Sequence, residues 1–163
     1  MVDKIDELRK RIEELKIKSG ADLSLDEDLT IAVMNLISLE EHFFWSSCKT
    51  GKEEYLDTLN EVREIRKEML ARLIPKHEGE TWCAAKHLLA TTMRLQEVTT
   101  RLQKEGKLKE AEDTKKRAND LFAIFFGLKL KLLSLPDIEE MAKTEKPWSL
   151  SDIMNKLVNC CDE

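Results

Sequence analysis

Two charged residues stand where apolar side chains are expected. Glu40 lies in the middle of the broad apolar face formed by Leu29, Ala32, Val33, Leu36, Ile37, Leu39, Phe43 and Phe44 when the chain is plotted at about 100° per residue. Arg66 holds the matching central position among Tyr55, Leu59, Val62, Ile65, Met69, Leu70 and Leu73. A carboxylate in an apolar face costs several kcal/mol unless it is paired. The first expectation is therefore a buried Glu40–Arg66 ion pair that fixes the register of two helices. Counted from the end where the first of these helices starts and the second stops, the two residues are offset by ~10 Å, at ~1.5 Å per residue. The alternatives are a ligand carboxylate or phosphate held by Arg66, or a metal on Glu40.

Metal chemistry is the next possibility. Glu40-Glu41-His42 and the flank Glu80, Cys83, His87 hold the residue types that bind transition metals. Di-iron carboxylate bundles use Glu-x-x-His, which puts both ligands on one helical face. Here Leu39 precedes His42 by three residues and Ala84 precedes His87, so neither fits. Glu40 and His42 are about 200° apart around a helix. Cys83 and His87 do share a flank, and a thiolate and an imidazole four residues apart can ligate Zn²⁺ or a haem iron, or pair as nucleophile and base. No second Cys/His pair completes a four-ligand set. Packing on a half-buried flank is the simpler reading of Cys83 and His87.

Arg72 and His77 have R-x4-H spacing, and this six-residue stretch resembles the motif of the HEPN family of helical-bundle RNases. The resemblance implies RNA cleavage at these two residues. Pro75 interrupts the stretch, and Leu73 stands where the family favours a polar residue. A helical bundle that cleaves RNA is the remotest of the functional alternatives. No Gly-rich phosphate loop and no G-x-S-x-G elbow occurs in the sequence.

The elements that must position these residues are all helical. Residues 3–19 carry a thin stripe, Ile5, Leu8, Ile12 and Leu15, like a coiled-coil seam. That stripe is expected to pack on the back of the central helix or on a second subunit, and Gly20 ends the helix. Ser24-Leu-Asp-Glu27 reads as a capping box that opens a helix through Trp45. Ile31, Met34 and Trp45 lie on its far side, so it is apolar nearly all round and expected to be central and buried. Thr50-Gly-Lys-Glu53 is a second capping box, opening a helix that stops before Pro75. A fourth helix spans Glu80 to Glu105, stopped by Gly106, and a fifth runs from Leu108 to Leu133. The tail holds Ser149 as a cap before Leu150, Ile153, Met154, Leu157 and Val158. It is the expected cover for the apolar stretch LFAIFFGLKLKLL.

Four long helices with short turns imply an all-α, antiparallel up-down-up-down four-helix bundle. The sequence predicts one domain over 1–163, with an N-terminal amphipathic helix (1–20), a core (25–134) and a helical tail (135–163). The length of 163 residues suits a single core. A net charge of −5, with acids and bases interspersed, argues against a nucleic-acid partner. No apolar run is long enough to span a bilayer, and the charged start VDKIDELRKR is not a signal peptide. Cys48, Cys83, Cys160 and Cys161 form no disulfide scaffold, so a reducing cytoplasm is the expected setting. The leading expectation is a non-enzymatic bundle acting through protein contacts, as a homo-oligomer or with a helical partner. The second is a bundle that binds a metal, haem or small anion through Glu40/Arg66 or the Cys83/His87 flank.

Overall fold

The computed structural model describes residues 2–19, 23–74 and 80–134. His77, the stop at Gly20 and the tail from residue 135, with its Ser149 cap and its two cysteines, lie outside these residues. Among the described residues the chain is all-helical with no strand. The helices are α1 (Val2–Ser19), α2 (Ser24–Thr50), α3 (Glu54–Leu73), α4 (Glu80–Lys104) and α5 (Leu108–Lys129). Helices paired as antiparallel hairpins are compatible with the bundle that the sequence implies. No helix among the described residues is long and apolar enough to cross a membrane.

The chain divides into two compact units, residues 23–75 and residues 1–22 with 76–163. The first is the α2–α3 hairpin. Its turn is Gly51, held at φ 69°, whose N–H donates to the Ser47 carbonyl at 2.8 Å. That left-handed conformation costs a side chain its Cβ clearance, so glycine suits it. The capping boxes are realised only in part. Ser24 is already helical, and Leu23 stands at the cap position without a side-chain bond. Thr50 ends α2, where its hydroxyl accepts from the Lys52 N–H at 3.3 Å and donates to the Ser46 carbonyl.

Leu59, Val62, Leu70 and Leu73 of α3 are buried, as their spacing requires. Ile65 departs from that pattern: it is exposed, because it lies at the edge of the face that Leu59, Val62 and Arg66 centre. The expectation of a centrally buried α2 is overturned. Its fully covered side chains are Thr30, Val33 and Met34, whereas Ile31, Leu39, Phe44 and Trp45 stand in solvent. Met34, placed on the far side by its periodicity, is inside.

The second unit contains α1, α4 and α5. Gly106 (φ 76°) closes the α4–α5 turn, with Gly106 N–H donating to the Gln103 carbonyl and Lys107 N–H to that of Leu102, both near 3 Å. This pair of bonds is a Schellman closure. Small side chains, Ala84, Ala85, Ala111, Ala118 and Ala123, are buried and let the two backbones approach. The buried Thr92 hydroxyl donates to the Leu88 carbonyl at 2.8 Å and so leaves no unmet polar group.

Helix α5 ends at Lys129, four residues before the sequence reading. Lys131 enters the left-handed region (φ 56°), and the Leu132 and Leu133 N–H groups turn back to the Gly127 carbonyl. Leu133 then lies against Gly127, where an added methyl would stand 2.7 Å from Leu133 Cδ1 and 3.1 Å from Leu8 Cδ2. The apolar end of α5 is thus covered by the chain's own turn and by α1. The first half of the α1 stripe accordingly packs on α5. Ile5 and Leu8 are buried, and Arg9 bridges to Asp120 of α5 at 2.6 Å. Leu15 and Ile17, further along α1, are exposed.

Candidate functional site

The polar centre of the α2–α3 hairpin is built by its turn. Glu40 lies about ten residues before the end of α2, and Arg66 about twelve after the start of α3, an offset of only ~3 Å. The larger offset read from the sequence came from counting at the open end, where α2 with 27 residues and α3 with 20 finish unevenly. The covalent turn, not the free ends, sets the register.

Arg66 Nε donates to Glu40 Oε1 at 2.8 Å, and Arg66 Nη2 reaches Glu40 Oε2 at 3.4 Å. A third residue completes the group: Arg63 Nε donates to Glu40 Oε2 at 3.0 Å. The burial is graded, with side-chain exposures of 2% for Arg66, 12% for Glu40 and 36% for Arg63. Arg63 was legible in principle, because it precedes Arg66 by one helical turn and lies level with Glu40 when counted from Gly51. Sequence reasoning passed over it because it sits at the rim of the apolar face rather than in it.

Two guanidinium groups against one carboxylate leave the group with a net positive charge. Both Glu40 oxygens accept from arginine, so a metal cation at Glu40 would have to displace them and face two positive charges. Arg66 Nη1 is buried and has no hydrogen-bond partner among the described residues. Arg66 is therefore held by one edge of its guanidinium, and the arrangement is that of a positioning clamp between helices.

The remaining candidates are dispersed. His42 is exposed and meets Phe43 edge-on at 5.8 Å between ring centroids, while Glu41 beside it is exposed and on another side of α2 from Glu40. Cys83 is buried on α4 and in no disulfide, His87 is half-buried one turn later, and Glu80 is exposed at the helix start. Among the described residues no group of three or more His, Cys, Asp or Glu side chains is arranged to hold a metal ion. Arg72 is exposed in the last turn of α3, and its motif partner His77 is outside the described residues.

What the sequence reading missed is on the outside of α2. Ile31 and Trp45 are 51% and 52% exposed, with Leu39 and Phe44 also uncovered. Phe44 and Trp45 meet edge-on with ring centroids 5.3 Å apart, and Phe43 stacks on Tyr55 of α3 at 6.3 Å. The signal was present in the far-side apolar residues of this helix, but it was read as a sign of burial. No family model, no curated protein and no solved structure matches this chain.

Proposed function

We propose that this chain works through protein contacts rather than chemistry, and that it associates with itself through the outer face of α2. The observation that supports this reading is the exposure of Ile31 and Trp45, which share one side of α2, to about half of their surface. Large apolar side chains gathered on one element mark interaction surfaces, whereas scattered ones need no explanation. The polar group inside the hairpin works differently, since its carboxylate is already consumed by two arginines. A cytoplasmic setting accompanies the proposal, because Cys48 stands on the surface as a free thiol.

Sedimentation equilibrium of the purified full chain tests it. The expected result is a mass above that of one chain, falling to one chain in the double variant Ile31→Glu, Trp45→Glu while far-ultraviolet circular dichroism stays helical. A wild-type chain that remains monomeric at high micromolar concentration would overturn the reading.

A further inference from the structure

Among the described residues Arg66 is the largest fully buried side chain, and its guanidinium is only partly used. That group holds its N–H donors in one rigid plane. Nε and Nη2 turn toward Glu40, at 2.8 Å and 3.4 Å. Nη1, at the other end of the plane, is sealed from solvent and meets no acceptor among the described residues. Unmet donors on a buried charged group are costly, and such a group calls for a water or an ion. Charge separates those two. Glu40 sets one negative charge against the positive charges of Arg63 and Arg66, so the group keeps a net positive charge. Its innermost member is only 2% exposed. A water would answer the N–H groups and leave the charge, whereas an anion answers both.

We propose that Arg66 Nη1 holds a small monovalent anion, of the size and charge of chloride, inside the α2–α3 hairpin. A single negative charge brings the group of Glu40, Arg63 and Arg66 to neutrality. A doubly charged oxyanion would overshoot it and stand against the Glu40 carboxylate. Because Nη1 is sealed, the ligand must be small enough to be closed in with it. A monatomic ion also needs no partner of matching shape. The two negative charges are kept apart, since Glu40 Oε1 accepts from Nε and the guanidinium lies between it and Nη1. Arg63 is the member that solvent reaches, with its side chain 36% exposed, and its charge draws anions toward the group. The bound ion is structural. It neutralises the clamp that sets the helix register, and it links the stability of the hairpin to the concentration of the ion. None of this depends on whether the chain associates with itself.

Chloride-35 NMR on the full chain tests the site, with sodium chloride replacing sodium gluconate at constant ionic strength. The wild type is expected to broaden the chloride line, and added bromide to reverse the broadening by competition. Arg66→Lys keeps the charge but has no Nη1. Loss of a charge-assisted hydrogen bond there predicts binding weaker by about tenfold or more. The double variant Glu40→Leu, Arg66→Met removes the buried charges and is expected to leave only the weak broadening of surface groups. In urea the wild-type midpoint should be higher in chloride than in gluconate, and the double variant should not distinguish the two salts. Crystals of the wild type grown in sodium bromide should show an anomalous peak within hydrogen-bond distance of Arg66 Nη1. That measurement requires no variant to fold. Equal broadening by the wild type and Arg66→Lys would overturn the proposal, and so would a water in place of bromide at Nη1.

Discussion

The two helical hairpins, α2–α3 and α4–α5, are closed in the same way and held by opposite means. Each turns on a left-handed glycine, Gly51 or Gly106. Inside α4–α5 the buried residues are small or apolar, and the one buried polar side chain of α4, Thr92, is satisfied by its own helix. Inside α2–α3 a carboxylate and two arginines bridge the helices. Apolar packing is graded and tolerates small slips, because neighbouring side chains resemble one another. An ion pair with fixed donor directions tolerates none. The charged hairpin gains register from this at a cost in desolvation, and it is also the hairpin that leaves Ile31 and Trp45 outside.

Breaking the charged contact should have the largest effect. Glu40→Ala leaves the Arg66 guanidinium buried without its carboxylate, and a loss of about 3–5 kcal/mol is expected in urea unfolding. The sharper version removes both sides. Glu40→Leu together with Arg66→Met should restore most of that loss, since apolar replacement of a buried pair is often neutral or better. A double variant as unstable as Glu40→Ala would mean that the clamp contributes stability as well as register.

In the other unit the sensitive quantity is volume. Gly127→Leu forces a branched side chain toward Leu133 and Leu8, which already leave no room for a methyl. A loss of about 1–3 kcal/mol is expected, after the ~1 kcal/mol that leaving glycine returns to the helix. Stability equal to wild type in the same urea titration would show that Leu133 does not cover α5.

The smallest effect belongs to the turn between α4 and α5. Lys107 Nζ lies 2.8 Å from Glu105, and its hydrogen bond and charge hold the Glu105 carboxyl below its ordinary value. A folded-state value below the unfolded one means that the contribution is present above the unfolded carboxylate range. It is lost as the pH falls through the folded value. Carbon-detected NMR titration should place the Glu105 midpoint below that of other exposed glutamates and return it to theirs in Lys107→Ala. An unchanged midpoint in that variant would remove the pair as the cause.

Much of this was legible in the sequence because it is local. Helix α4 begins at Glu80 as read and ends one residue early, since periodicity and a stopping glycine act within a few residues. Glu40 and Arg66 could be paired on paper because a charge inside an apolar face must be answered. Arg63 could not be ranked, because a residue at the rim of a face is decided by which neighbour reaches it. The C-terminus of α5 was misplaced for a related reason. Lys131 carries no glycine-like mark, and the left-handed turn there is held by Leu133 lying on Gly127.

By itself the sequence determined the all-helical class, the approximate span of each helix, the glycine turns and the need for a partner at Glu40. These follow from side-chain spacing and backbone chemistry over one or two helical turns. Only the tertiary structure decided which apolar faces are covered. It gave the first half of the α1 stripe to α5, put Met34 inside and left Ile31 and Trp45 in solvent. Periodicity tells where an apolar face lies on a helix, but burial depends on what distant chain is available to cover it.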